Sequence, residues 1–107
     1  MGAILLLLIL ATPLAAQVGP APAPPLRVTL PSAILGEQRS VQIRVPAAYA
    51  RTATRYPVLY LTDGDAQLTH TAATVEFLAR NARIPEMIVV AISNTDRTRD
   101  LTPTKGS

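Results

Sequence analysis

Aspartate, serine and histidine are the residues of this chain that could do chemistry, and their placement limits what that chemistry is. The stretch Tyr56-Pro57-Val58-Leu59-Tyr60-Leu61-Thr62-Asp63-Gly64-Asp65 runs an apolar segment straight into two carboxylates around a glycine. In open α/β sheets, ligands sit just beyond the carboxyl ends of strands. Asp63, Gly64 and Asp65 therefore mark the edge of a site, with Gly64 giving the backbone its freedom to turn. Nucleophilic catalysis by serine needs an exposed Ser on a strand-to-helix turn, a His as base and an acid to orient it. The serines are Ser32, Ser40, Ser93 and Ser107, and none stands in Gly-x-Ser-x-Gly. Ser93, in Ala91-Ile92-Ser93-Asn94-Thr95, comes nearest. Asp96–Pro103 shows no helical pattern that would complete its turn, however, and reads as polar loop. His70 is the only histidine, and it reads as a solvated or capping residue near a helix start.

The elements that must position these residues follow from the apolar pattern. Val58–Leu61 and Met87–Ile92 are short continuous apolar runs bounded by turn residues, the pattern of strands buried on both faces. Between them Leu68, Ala72, Val75, Ala79 and Ala82 recur at spacings of three and four, which predicts one helix stripe. Thr69 or Thr71 is the expected cap, and Ile84-Pro85 the stop. Upstream, Val41, Ile43 and Val45 alternate with polar residues, so they share one face of a half-exposed strand. Leu26–Leu30 and Ser40–Val45 bracket a turn at Leu35-Gly36-Glu37-Gln38, and the segment around Ile34 is expected to pair back on the second strand as an antiparallel hairpin. Hairpin, strand, helix, strand is the opening of an α/β fold with a parallel βαβ unit.

Composition narrows the setting. The chain has 107 residues, a formal net charge of +3 and no cysteine. That excludes disulfides and thiolate metal sites. All ten basic residues but Lys105 are arginines, scattered without interleaved aromatics, so nucleic-acid binding has no support. Residues 1–16 carry an unbroken apolar run, Ile4–Leu10, followed by small residues, the pattern of a cleaved secretory signal. The run falls short of the ~20 apolar residues that a membrane span needs. Residues 17–25, QVGPAPAPP, read as an extended linker. Residues 26–107 are then a partial α/β domain, expected to be secreted or periplasmic.

Two resemblances bear on chemistry. A strand ending in Asp-x-Asp resembles phosphatases of the haloacid dehalogenase type, in which Asp63 would be nucleophile, Asp65 acid/base and Mg²⁺ the counter-charge. Gln67 stands where that family usually has Thr or Val. The broader resemblance is to the putative-esterase family of α/β-hydrolases, which includes esterase D-like and enterochelin-esterase-like enzymes. Tyr56–Asp65 is similar to its "YPVLYLLDG" strand and Ile84–Ser93 to its "IPEMIVVGI" strand. Arg97-Thr98-Arg99-Asp100-Leu101-Thr102-Pro103-Thr104 is similar to its "R-x-RDLTPT" loop, and Ser32–Val45 to its leading hairpin.

The resemblance implies the N-terminal part of an α/β-hydrolase fold and a serine esterase acting on a small-molecule ester, without a cofactor. It makes the backbone N–H of Asp65 an oxyanion-hole donor, with Gly64 shaping the turn and the Asp65 carboxylate directed away. Arg97, Arg99 and Asp100 are expected to order their loop by mutual ion pairing. The family's nucleophile elbow, acid and catalytic His all follow the segment matched, so no catalytic residue is assigned in this chain and it is expected to be inactive alone. The strand matching Val58–Leu61 normally lies between that matching Met87–Ile92 and the strand leading to the elbow. Here it is expected to be a sheet edge, open to self-association. A non-enzymatic secreted binding module built on the same half-sheet is the alternative.

Overall fold

The computed structural model describes residues 23–103. The expected signal, residues 1–16, and residues 17–22 of the linker lie outside the described residues. Two strands form the leading hairpin, β1 (Leu26–Ser32) and β2 (Glu37–Arg44), in antiparallel register from Leu26↔Ile43 to Ser32↔Glu37. The turn occupies Ala33–Gly36, two residues earlier than the sequence suggests, so Ile34 lies in the turn, almost fully exposed, and not in the pairing strand, which is Leu26–Ser32. Gly36 adopts φ +64°, which a glycine takes without steric penalty, and Ser32 Oγ accepts from the Leu35 amide at 3.2 Å. Pro46 follows β2, and a short 3₁₀ turn at Tyr49–Arg51 leads towards β3 (Val58–Leu61).

Helix α1 (Gly64–Arg80) connects β3 to β4 (Ile88–Ile92). The sheet has four strands in the order β1-β2-β4-β3, with β4 antiparallel to β2 and parallel to β3. This is the predicted hairpin followed by a parallel βαβ unit, with an incomplete sheet. The core lies where α1 meets β4: Leu68, Ala72, Val89 and Ala91 are buried, with Leu61 and Val75 packed against them. Paired residues share a face, so Gln42, Leu61 and Ala91 all look towards α1.

Four expectations need correction. Helix α1 begins at Gly64, not near Thr69 or Thr71. Its first turn is polar, so the apolar stripe does not register until Leu68. Ala82 lies beyond the helix with φ +54°. There Ala82 N–H bonds Ala79 C=O and Arg83 N–H bonds Leu78 C=O, a C-terminal cap of the kind that usually takes glycine. Strand β3 is not doubly buried: Val58 is 43% and Tyr60 67% exposed, because α1 covers only one face and β3 is an edge. In β2, Val41 is buried on the face away from α1, Val45 is exposed beyond the strand end, and polar Gln42 is itself buried. Among the described residues, no helix is long and apolar enough to cross a membrane.

Candidate functional site

The turn from β3 into α1 is the centre of the site. Asp63 caps the helix in the left-handed region at φ 53°, ψ 39°, and its side chain makes no capping bond. Gly64 is buried and packs directly on β4. A Cβ there would stand 2.8 Å from the carbonyl carbon of Ala91 and 2.9 Å from that of Ile92. Only glycine allows the helix to begin this close to the strand. The amides of Ala66 and Gln67 both donate to the Asp63 carbonyl. Those of Gly64 and Asp65 precede them in the first turn, where helix amides have no intrahelical partner, and among the described residues they donate to no acceptor. A cavity of about 500 Å³ adjoins this turn, lined by Asp63, Asp65, Ala66, Gln67, Asn94 and Arg97.

Both carboxylates of the turn are held by specific partners. Asp65 Oδ1 accepts from Ser93 Oγ at 2.9 Å and from Gln42 Nε2 at 3.4 Å. Asp63 takes a two-point contact from Arg97, Nε at 2.9 Å and Nη2 at 3.1 Å, and Asn94 Nδ2 donates to the same carboxylate. The Arg97 guanidinium is the main reason the Asp63 carboxyl lies below its ordinary range. This contact is exposed on the Arg97 side, so it steers geometry more than it stabilises.

The loop after β4 is more ordered than the sequence suggests. Arg97–Leu101 forms a short helix, α2, capped by Asp96, whose carboxylate accepts from the Arg99 amide at 3.0 Å. The expectation of polar loop over this stretch is corrected. The helix is only five residues long, too short to show an apolar period. Its charges meet those of the hairpin. Arg39 Nη1 lies 2.7 Å from Glu37 and 2.9 Å from Asp100, while Arg99 Nη2 lies 2.9 Å from Glu37 and 2.8 Å from Asp100. Bonds from Arg99 and then Arg39 pull Asp100 down to about 2 and Glu37 below its usual value. The expected pairing of Arg99 with Asp100 is present and extends across to Glu37 and Arg39, but Arg97 stands outside it, because it pairs with Asp63 instead.

The predicted residues divide accordingly. Asp63 and Asp65 line the cavity, with Gly64 buried between them against β4. Ser93 is buried beside them, 6% exposed, with its hydroxyl committed to Asp65 rather than to His70. His70 is exposed on α1 and uses its carbonyl to accept from Thr74. Ser93 and His70 thus form no nucleophile–base pair. The phosphatase reading needs Asp63 free to attack, whereas Arg97 and Asn94 occupy its carboxylate. Among the described residues, no group of three or more His, Cys, Asp or Glu could hold a metal ion. Gln42 and Asn94 were not foreseen as site residues. Gln42 stands on the polar side of an alternating strand, which reads as solvent-facing until a helix end is seen to cover it.

The fold is thus an incomplete mixed α/β sheet, with free helix amides at the carboxyl end of its edge strand β3. The model of the family described as Putative esterase matches residues 32–105, and the chain belongs to that family. Among solved structures, it is similar to an IroE-like serine hydrolase from Shewanella oneidensis, at 40% identity and a TM-score of 0.71, over 77% of this chain and 27% of that one. It also resembles a ferulic acid esterase at 23% identity and TM-score 0.55, covering 66% of this chain and 32% of that one. A BES protein from Bacillus cereus aligns at 19% identity and TM-score 0.56, over 73% of this chain and 30% of that one. The latter two bear on fold alone. No curated protein matches the chain. The chain spans between about a quarter and a third of the length of these structures.

Proposed function

We propose that this chain supplies the N-terminal part of a serine carboxylic ester hydrolase, and that its contribution to catalysis is the Asp65 backbone N–H. In ester hydrolysis a serine oxygen adds to the ester carbonyl, and negative charge develops on the carbonyl oxygen. The alcohol then leaves, and water releases the acid from the acyl-serine. Amides fixed before the reaction stabilise that charge without having to reorganise. The observation that carries the reading is the pair of amides at Gly64 and Asp65, without an acceptor among the described residues, on a turn that lines the cavity. The 40% identity to a serine hydrolase supports the same class. No residue of this chain is assigned as nucleophile, acid or base, so the chain by itself is inactive. Residues 1–16 direct export to the periplasm or medium and are removed before Gln17, and the substrate is a small-molecule ester.

The test is a chimera in which residues 26–103 replace the aligned segment of the Shewanella serine hydrolase. It should hydrolyse p-nitrophenyl acetate, while the 107-residue chain should not exceed a heat-denatured control. Asp65→Pro removes the N–H within the first helical turn, where proline is tolerated. It should lower kcat by about 10²–10³. Asp65→Ala keeps the amide and should retain most of the rate. Equal losses in the two variants, or hydrolysis by the chain alone that Ser93→Ala abolishes, would overturn the reading.

A further inference from the structure

Two buried polar side chains stand under the start of α1. Ser93 is 6% and Gln42 5% exposed, and sheet pairing sets them side by side. Gln42 opposes Ala91, and the Ser93 amide donates to the Ser40 carbonyl at 3.0 Å, so β2 fixes the backbone of both. Gly64 rests on the main chain of Ala91 and Ile92, which brings the first helical turn over these side chains. Buried polar groups persist only where a partner satisfies them. Here both donate to one atom: the Ser93 hydroxyl to Asp65 Oδ1 at 2.9 Å, and the Gln42 amide to the same oxygen at 3.4 Å.

The carboxylate that they hold has a competing place to go. A helix N-terminus attracts negative charge, because its first amides point outward without intrahelical acceptors and the helix dipole is positive there. In α1 these are the amides of Gly64 and Asp65, which among the described residues donate to no acceptor. The side chain of Asp65 belongs to that same first turn. We propose that Ser93, assisted by Gln42, is a positioning residue that keeps Asp65 from capping its own helix. Without the Ser93 hydroxyl the carboxylate turns onto the open amides and occupies the donors that a developing oxyanion needs. Ser93 touches no reacting atom and acts only through Asp65. The inference rests on the proposed role of the Asp65 N–H, and adds to it a self-blocked state that the sheet holds off. Removing one partner of a buried hydrogen bond strands the other, whereas removing both is close to neutral. The harm done by losing Ser93 should therefore depend on the Asp65 carboxylate being there.

The test is a double-mutant cycle in the chimera described above. Ser93→Ala should lower kcat by roughly 10- to 100-fold, short of the loss expected when a donor is removed outright. KM should change little, because the amides act on the transition state. Adding Asp65→Ala to Ser93→Ala should restore most of the lost rate. A merely structural role for Ser93 predicts the reverse, a rate that the second substitution leaves low or lowers further. Gln42→Met removes the weaker donor at similar volume and should act in the same direction with a smaller effect. In the 107-residue chain, Ser93→Ala should shift the Gly64 and Asp65 amide protons downfield and slow their exchange, and the double variant should not. With Asp65→Pro slow, a Ser93→Ala variant at full rate, or a loss that Asp65→Ala fails to relieve, overturns the inference. An inactive unmodified chimera, or one that Asp65→Pro leaves at full rate, instead removes the reading beneath it. The amide shifts then still decide whether Ser93 holds the carboxylate off the helix end, and unshifted amides overturn that too.

Discussion

Replacing Gly64 with alanine tests whether the turn is set by close backbone packing. The added methyl would meet the Ala91 carbonyl carbon at 2.8 Å, the Ile92 carbonyl carbon at 2.9 Å and the Ile92 nitrogen at 3.0 Å. All three are main-chain atoms of β4, so no side chain can swing aside. Carbon atoms rest at about 3.5–4.0 Å, so the start of α1 would have to retreat by roughly 0.7–1 Å. Overpacking of this kind costs about 1–3 kcal/mol, and a clash with backbone belongs in the upper half of that range. Alanine's better helix propensity returns at most about 1 kcal/mol, less at the first helical position. The net expectation is a loss of about 1–2 kcal/mol. For a domain of this size that corresponds to a fall in Tm of roughly 5–15 °C. Thermal unfolding followed by circular dichroism, at matched concentration, measures it. Gly36→Ala is the control, because nothing lies within 4 Å of its added methyl and only its φ of +64° is at stake. That strain costs about 1–2 kcal/mol, and Gly36→Asn should recover part of it. An unchanged or raised Tm in Gly64→Ala would refute the argument that steric approach fixes this turn.

Two further predictions concern the helix end and the charge cluster. Ala82→Gly should raise stability by about 0.5–1 kcal/mol, because the left-handed position beyond α1 strains an alanine and suits glycine; a lower Tm would contradict the cap geometry. Asp100 lies at about 2 against an ordinary 3.8. A depressed carboxyl pKa gives stability that is present above the ordinary value and lost as pH falls through the folded one. The contact between the hairpin and α2 should therefore hold down to about pH 4 and loosen between there and about pH 2, with Glu37 and Asp63, also lowered, acting in the same direction. The Thr95 amide donates to Asp100 Oδ2 at 3.2 Å, so its NMR shift should titrate near 2. A midpoint near 3.8 would show that the cluster does not form.

How far the sequence discloses this arrangement depends on the kind of signal each part leaves. The helix stripe is legible because burial on the sheet imposes spacings of three and four, β2 because its residues alternate, and β3 and β4 because continuous apolar runs stand between turn residues. Leu68, Ala72, Val89 and Ala91 carry that signal. The helix start is not legible, because its first turn faces the cavity and is polar. Nor is α2, whose order comes from the Asp96 cap and from charges on β2 rather than from an apolar face. The exposure of Val58 and Tyr60 is hidden for a different reason. An apolar run reports what a strand is suited to bury, not whether a partner covers it. The Asp63-Gly64-Asp65 turn is legible as a site edge from its place at the strand end, but its partners Gln42, Asn94 and Arg97 come from segments that only the sheet order brings together.

Those partners bear on how an acidic turn can serve a developing oxyanion. Carboxylates on both sides of Gly64 would repel negative charge if they faced the amides. Each is drawn off by a separate contact. Asp63 bends to Arg97 and Asn94 instead of capping the helix, and Asp65 turns down to Ser93 and Gln42 beneath the helix end. Asp63 adopts a left-handed backbone that a non-glycine residue enters only at some cost, and its two-point contact with Arg97 fixes where its carboxylate points. The buried hydroxyl of Ser93 donates to the Asp65 carboxylate, and on the proposed reading this holds the charge away from the Asp65 amide. On the proposed reading, the turn divides two functions within one residue: the Asp65 side chain is anchored to Ser93 and Gln42, and its backbone N–H is the donor offered to the oxyanion.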